Sequence, residues 1–234
     1  MIRAVVFDVD FTLIHPGPVF RGEGYGDFCA RHGISVDPAR FAHAVNAAAP
    51  LLEGPEHTMY DEALFIAYTR RIVEEMGGRG PSLDACAREI YSEWAACHHF
   101  ELYEDVPDVL RQIADGGTLV GLISNSHRSM TSFQEHFELE GLIAAAVSSP
   151  EHGFMKPHPS IFTATLQLLE TAPEEALMVG DSVTQDIDGA LRVGMKAALL
   201  HRGDTPHARE EELRTRGVPV LRSMNEVLAL IKQA

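Results

Sequence analysis

The stretch Val5-Val6-Phe7-Asp8-Val9-Asp10-Phe11-Thr12 decides the fold. Its apolar run, with Ile2 and Ala4 before it, predicts a strand buried on both faces, the kind found inside a parallel sheet. Asp8 then falls at the carboxyl end of that strand, where open α/β sheets bind ligands. A buried carboxylate is costly unless it is paired or bound to a cation. Asp8 and Asp10, followed by the small hydroxyl of Thr12, therefore suggest a Mg²⁺ site, a nucleophile or both. An aspartate after a strand also serves as a plain turn cap. Whether further residues build the same site separates the two readings.

Outward from this stretch the pattern changes at the breaker cluster His15-Pro16-Gly17-Pro18. From about residue 24 to 97 the spacing predicts helices: Tyr25–Arg31, Pro38–Ala48, Glu56–Met76 and Ser82–Cys97, with Gly77-Gly78 ending the longest and Ser82 as N-cap of the last. From Asp105 onward strands and helices alternate. Helices are expected at Val106–Ala114, Arg128–Phe137, Pro159–Leu169 and Ile187–Val193. Strands are expected at Thr118–Ser124, Ile143–Ser148, Ala176–Gly180, Lys196–Leu200 and Val218–Leu221. Such alternation implies a parallel sheet covered on both faces. The expected architecture is α/β: a Rossmann-like parallel-sheet core from residues 1–15 and 99–234, interrupted by an all-helical cap over 16–98. Because the insert follows directly on the two aspartates, it is expected to lie over the site as a lid that excludes water and selects substrate.

Three more segments carry chemistry. Leu122-Ile123-Ser124-Asn125 is a strand ending in a hydroxyl, with a helix soon after; Ser124 and the following backbone N–H groups can hold phosphate oxygens. Gly153-Phe154-Met155-Lys156-Pro157-His158-Pro159 puts Lys156, one of only three lysines in the chain, in a proline-braced loop suited to a cation that offsets clustered aspartates. Met178-Val179-Gly180-Asp181-Ser182-Val183-Thr184-Gln185-Asp186-Ile187 is a second apolar strand ending on an aspartate, with another opening the next helix. Hard oxygen ligands of this kind fit Mg²⁺.

The totals bound the partners. A net charge of -15 over 234 residues argues against nucleic acid and anionic membranes, which need a basic surface, but allows a small phosphorylated substrate at a locally positive site. No apolar run is long enough to span a bilayer. Cys29, Cys86 and Cys97 are odd in number and form no C-x-x-C, which points to packing residues in a reducing cytoplasm. The start of the chain does not read as a signal peptide, since Asp8 and Asp10 break its apolar stretch. A monomer or homodimer is expected.

Taken together, Asp8-x-Asp10-x-Thr12, Ser124, Lys156 and Gly180-Asp181-x-x-x-x-Asp186 resemble the four motifs of the haloacid dehalogenase-like hydrolase superfamily, in order, over about residues 1–14 and 100–225. The inserted helices are similar to that family's type I cap. Phe11 departs from the family pattern, where glycine is commonest.

The resemblance implies phosphoryl transfer through an aspartyl-phosphate on Asp8, with Asp10 as general acid and then base. It implies Mg²⁺ held by Asp8, the Asp10 backbone carbonyl and Asp181, with Asp186 acting through water or through neighbouring groups. Lys156 and the metal would shield the phosphate charge. Ser124, Asn125 and Lys156 would bind phosphate, and Thr12 would support Asp8. Asp10 favours phosphate ester hydrolysis over dehalogenation, because a halide leaving group needs no acid. A sugar-phosphate mutase and a non-catalytic phosphate-binding protein remain alternatives. Arg21, Tyr25 and His127, with His57 and Tyr60, are candidates for contact with the leaving group of a small-molecule phosphate ester. Each is also consistent with surface or packing. His98 and His99 are expected to point apart from a solvated helix end.

Overall fold

The computed structural model describes residues 1–52 and 58–233. Glu56, where the longest helix was expected to begin, and His57 lie outside the described residues. The chain divides into two units: Met1–His15 with Leu102–Ala234, and Pro16–Glu101.

In the first unit six strands form one sheet: β1 (Ala4–Phe7), β2 (Leu119–Ser124), β3 (Ala145–Ser148), β4 (Ala176–Gly180), β5 (Lys196–Leu200) and β6 (Val220–Leu221). Their spatial order is β3-β2-β1-β4-β5-β6, and every pairing is parallel. All four residues of β1 are buried, as an apolar run flanked on both sides by paired strands requires. Alternate residues feed opposite faces. Val6, Ile123 and Met178 join Ile161, Phe162, Leu166 and Ile187 in one continuous core. Fully burying side chains of this size favours folding by about 2 kcal/mol each.

Helix Val106–Asp115 shows how the sequence sets a helix. Val106, Val109, Leu110 and Ile113 recur at i, i+3, i+4 and i+7 and are its buried face. A proline occupies its first turn. It ends at Gly116, and Gly117 follows with φ +77°, a conformation that costs glycine nothing.

Register delivers the site. Phe7 pairs with Leu122 on one side and Val179 on the other, so the carboxyl ends of β1, β2 and β4 lie side by side. The Asp8 N–H donates to the Val179 carbonyl at 2.9 Å, extending the ladder one residue into the site. Ser124 closes β2, and Gly180 closes β4 directly before Asp181. One expectation shifts: the helix predicted over Ile187–Val193 begins earlier, as a π-helical turn over Val183–Ile187 followed by an α-helix over Asp188–Arg192. Ser182 caps it, its Oγ accepting from the Gln185 N–H at 3.2 Å. Asp186 therefore sits inside the turn rather than ahead of it.

The second unit carries helices Gly22–Arg31, Phe41–Ala48, Glu62–Glu75 and Leu83–Glu93. The first starts three residues before the predicted Tyr25. Glycines lower its propensity, but a Cβ on Gly24 would lie 2.2 Å from the Val19 carbonyl oxygen, so close packing demands glycine there and outweighs propensity. Asp61 caps Glu62–Glu75 by accepting from the Ala63 N–H at 2.9 Å. Ser82 holds the N-cap position of Leu83–Glu93, yet its side chain makes no capping bond, because its backbone (φ -88°, ψ 1°) is not extended as a cap requires. His98 and His99 do not point apart: on the 3₁₀ turn Cys97–His99 their ring centroids lie 4.0 Å from each other. His99 Nε2 meets Glu93 Oε2 at 2.9 Å. No described helix is long and apolar enough to cross a membrane.

Candidate active site

Asp8 is held at both oxygens. Its Oδ2 accepts from the Thr12 hydroxyl at 2.9 Å, a contact made possible by the tight turn that follows β1. Its Oδ1 accepts from Lys156 Nζ at 2.5 Å. Lys156 also donates to Asp186 Oδ1 at 2.7 Å, and with 2% of its surface exposed it is a buried ammonium bridging two strand ends. Buried pairs survive only with such saturation of donors and acceptors.

The electrostatics follow from this crowding. Burial pushes the Asp8 carboxyl up to about 7; Lys156 opposes the shift and Asp186 reinforces it. Burial works against the Lys156 charge, but Asp186 and Asp8 outweigh it and hold the ammonium above the ordinary lysine range. Asp181 keeps an open surface of its own while protein rings its carboxyl. Loss of surrounding water, then the charges of Asp8 and Asp186, raise it well above the usual carboxylate range.

Two supports set the Lys156 loop and the Asp186 carboxylate. Asn125 brackets the Lys156 backbone: its Oδ1 accepts the Lys156 N–H at 2.8 Å and its Nδ2 donates to the Lys156 carbonyl at 3.0 Å. Its side chain, expected to bind phosphate, is thus committed to the loop. Asp186 Oδ2 accepts from the Ser182 N–H at 3.0 Å. A Cβ on Gly180 would stand 2.3 Å from the Asp186 Cγ, so the carboxylate can fold back only over a glycine.

Ser124 lies fully buried at the end of β2, where its Oγ accepts from the Ser126 N–H at 3.1 Å. Asp10 is met by Arg128, whose Nη1 donates to Asp10 Oδ1 at 3.0 Å. Sequence reasoning missed Arg128 and named its neighbour His127, which is half-buried in the same loop. It also missed Arg202, which donates to the Thr12 carbonyl at 3.2 Å and to Asp105 Oδ2 at 3.2 Å while its guanidinium lies 3.9 Å from the Tyr103 ring centre. Only the position of Arg128, between a strand-end serine and a helix, could have flagged it.

The remaining candidates belong to the helical unit. Tyr25 is buried, its ring 4.9 Å from that of Phe41, and burial raises its phenol. That is a packing role. Arg21 is exposed at the N-cap position of Gly22–Arg31. Tyr60 pairs its hydroxyl with that of Tyr91.

These residues fit a small divalent cation. One carboxylate oxygen from each of Asp8, Asp181 and Asp186 lies within 4.8 Å of the others. With the carboxylates of Asp8, Asp10, Asp181 and Asp186 all ionised, the two buried cations Lys156 and Arg128 leave two negative charges for a metal to neutralise. All the donors are hard oxygens, the preference of Mg²⁺.

The chain matches the haloacid dehalogenase-like hydrolase family over residues 2–194. It is 29% identical to a glyceraldehyde 3-phosphate phosphatase of Methanopyrus kandleri, covering 87% of this chain and 85% of that protein. It is 26% identical to a phosphoserine phosphatase of Thermus thermophilus, covering 88% and 91%. The crystal structure of YfnB from Bacillus subtilis bound to magnesium aligns with a TM-score of 0.74 at 16% identity over 98% of both chains, a likeness of fold. The chain belongs to the haloacid dehalogenase-like hydrolases.

Proposed function

We propose that this hydrolase is a phosphatase acting on a small-molecule phosphate monoester, with Asp8 as nucleophile. The observation that carries the reading is the Asp8 carboxylate itself, fixed by Thr12 and Lys156 at the end of the central strand with a second carboxylate, Asp10, two residues on. Asp8 attacks phosphorus in line with the leaving oxygen, forming an acyl phosphate. Asp10 gives that oxygen a proton, so the alcohol departs neutral. Asp10 then takes a proton from water as the water attacks phosphorus, returning Asp8 and inorganic phosphate. Lys156 neutralises negative charge as two anions meet, and Ser124 supports the equatorial phosphoryl oxygens.

Asp8, Asp181 and the Asp10 backbone carbonyl would hold Mg²⁺. When bound, it supplies charge neutralisation at the phosphoryl oxygens. We assign Asp186 a role at one remove, holding Lys156 through Oδ1 while its Oδ2 accepts from the Ser182 N–H. Asn125 serves by fixing the Lys156 backbone.

The acidic chain supports a small substrate rather than a polyanion. Its relatives' names make glyceraldehyde 3-phosphate and phosphoserine the first esters to try. We assign choice among esters to the helical insert, because it interrupts the chain directly after the Asp8–Thr12 segment. The three free cysteines support a cytoplasmic location.

The test is hydrolysis of an aryl phosphate with Mg²⁺, with EDTA, and by Asp8→Asn. Metal-dependent turnover that disappears in the variant supports the reading. Turnover that persists in the variant, or is indifferent to EDTA, contradicts it.

A further inference from the structure

Arg128 heads the largest fully buried side chains of the described residues, with 1% of its surface exposed. An arginine is not kept from water without a fixed anionic partner, since its charge cannot be shed. That partner is Asp10, 118 residues away in sequence and 3.0 Å away in space.

The loop that delivers Arg128 is built step by step. Ser124 Oγ accepts the Ser126 N–H at 3.1 Å, and Ser126 Oγ accepts the Arg128 N–H at 3.2 Å. Ser129 then caps helix Met130–His136, its Oγ accepting the Ser132 N–H at 3.2 Å. Arg128 is therefore pinned between two serine-braced turns at the end of β2. Its Nη1 donates to Asp10 Oδ1.

We propose that Arg128 is a positioning residue for proton transfer: it holds Asp10 by Oδ1 and so presents Oδ2 to the leaving oxygen of the ester. This rests on the reading of Asp10 as the proton donor. A residue that only stabilised the fold would lower activity on every ester alike. One that acts through the proton donor matters most where the leaving group needs a proton.

The experiment measures kcat/KM of the Mg²⁺-loaded full chain on 4-nitrophenyl phosphate, phenyl phosphate and glycerol phosphate. This parameter reports steps up to departure of the alcohol. The proteins are wild type, Asp10→Asn, Arg128→Met, Arg128→Lys and the Asp10→Asn/Arg128→Met double variant. We expect Arg128→Met to lose about 100-fold on the alkyl ester and about tenfold on the nitrophenyl ester. Asp10→Asn should show the same slope more steeply, Arg128→Lys should fall between, and the double variant should lose no more than Asp10→Asn alone. If Arg128→Met does not fold, the slope of Arg128→Lys decides. A uniform loss in the arginine variants, or losses that multiply in the double variant, overturns the proposal while leaving the role of Asp10 intact. A flat response in Asp10→Asn itself overturns both.

Discussion

The ends of β1 and β4 each carry two aspartates, and the two pairs are used differently. At the end of β1, Asp8 is buried under Lys156 and Thr12, and Asp10 is matched by its own arginine. At the end of β4, Asp181 is exposed and no ion pair reaches it among the described residues, while Asp186 is buried against Lys156. One strand end thus holds a compensated pair, and the other leaves Asp181 without a cationic partner among the described residues. Among the described residues Lys156 is the only side chain bonded to both ends, and the charge of the ionised cluster is what a divalent cation would neutralise. Asp8 and Asp181 are the same kind of residue on the same kind of strand end. What separates them is which cation the fold has already supplied.

Removing the shared cation should break this comparison most severely. Lys156→Met leaves Asp8 and Asp186 buried without their partner, a loss of about 3–5 kcal/mol measurable by urea denaturation in EDTA. Turnover should fall by about 100-fold or more. Unchanged stability would mean that the bridge does not hold the two ends together.

Gly180→Ala disturbs the β4 end alone. The added Cβ meets Asp186 at 2.3 Å, so the carboxylate must leave Lys156 and Ser182. We expect a destabilisation of about 2 kcal/mol in the same denaturation experiment. Apparent affinity for Mg²⁺, read by calorimetry, should weaken as Asp181 loses its ordered neighbour.

A pH series sharpens the β1 end. The folded, metal-free Asp8 titrates near 7, above its ordinary value, so its ionisation opposes folding. The penalty is absent at pH values below the unfolded carboxylate range and grows until pH passes about 7. Only the ionised form can hold a cation, and Asp181 is raised as well, so Mg²⁺ should bind at least about tenfold more weakly at pH 6 than at pH 8, with protons released on binding in between. Affinity independent of pH over that range would contradict a raised Asp8 that must lose its proton to bind the metal.

Phe11 gives the smallest effect. It adopts φ +65° between Asp10 and Thr12, with 46% of its surface exposed. Phe11→Gly relieves the left-handed strain and should stabilise the chain by about 1 kcal/mol, seen as a raised Tm. A lowered Tm would mean that packing of the ring outweighs the strain.

Much of this was legible in the sequence because the decisive residues follow apolar runs. β4 and β5 occur as predicted over Ala176–Gly180 and Lys196–Leu200, since buried parallel strands need uninterrupted apolar residues bounded by breakers. Asp8, Ser124 and Asp181 could be read as neighbours once the strands were placed. Side-chain pairing could not. Nothing local ties Arg128 to Asp10 or Arg202 to Asp105, because those pairs exist only after the sheet forms. Asn125 illustrates the same limit: its position beside Ser124 suggested phosphate, and its partner turned out to be the backbone of a loop 31 residues away. The π-helical turn over Val183–Ile187 was also invisible, since five residues carry no periodicity that separates it from an α-helix; Asp186 within it folds back over Gly180.

The central claim is that Asp8 becomes phosphorylated. It is tested most directly by acid-quenching the Mg²⁺-loaded enzyme during turnover of a phosphate ester, reducing with borohydride, and mapping the peptides by mass spectrometry. An acyl phosphate on Asp8 is reduced to homoserine at that position, and the account predicts this product in the wild-type chain and its absence when substrate is withheld. Turnover without modification at Asp8, or modification at Asp10, Asp181 or Asp186 instead, would contradict it.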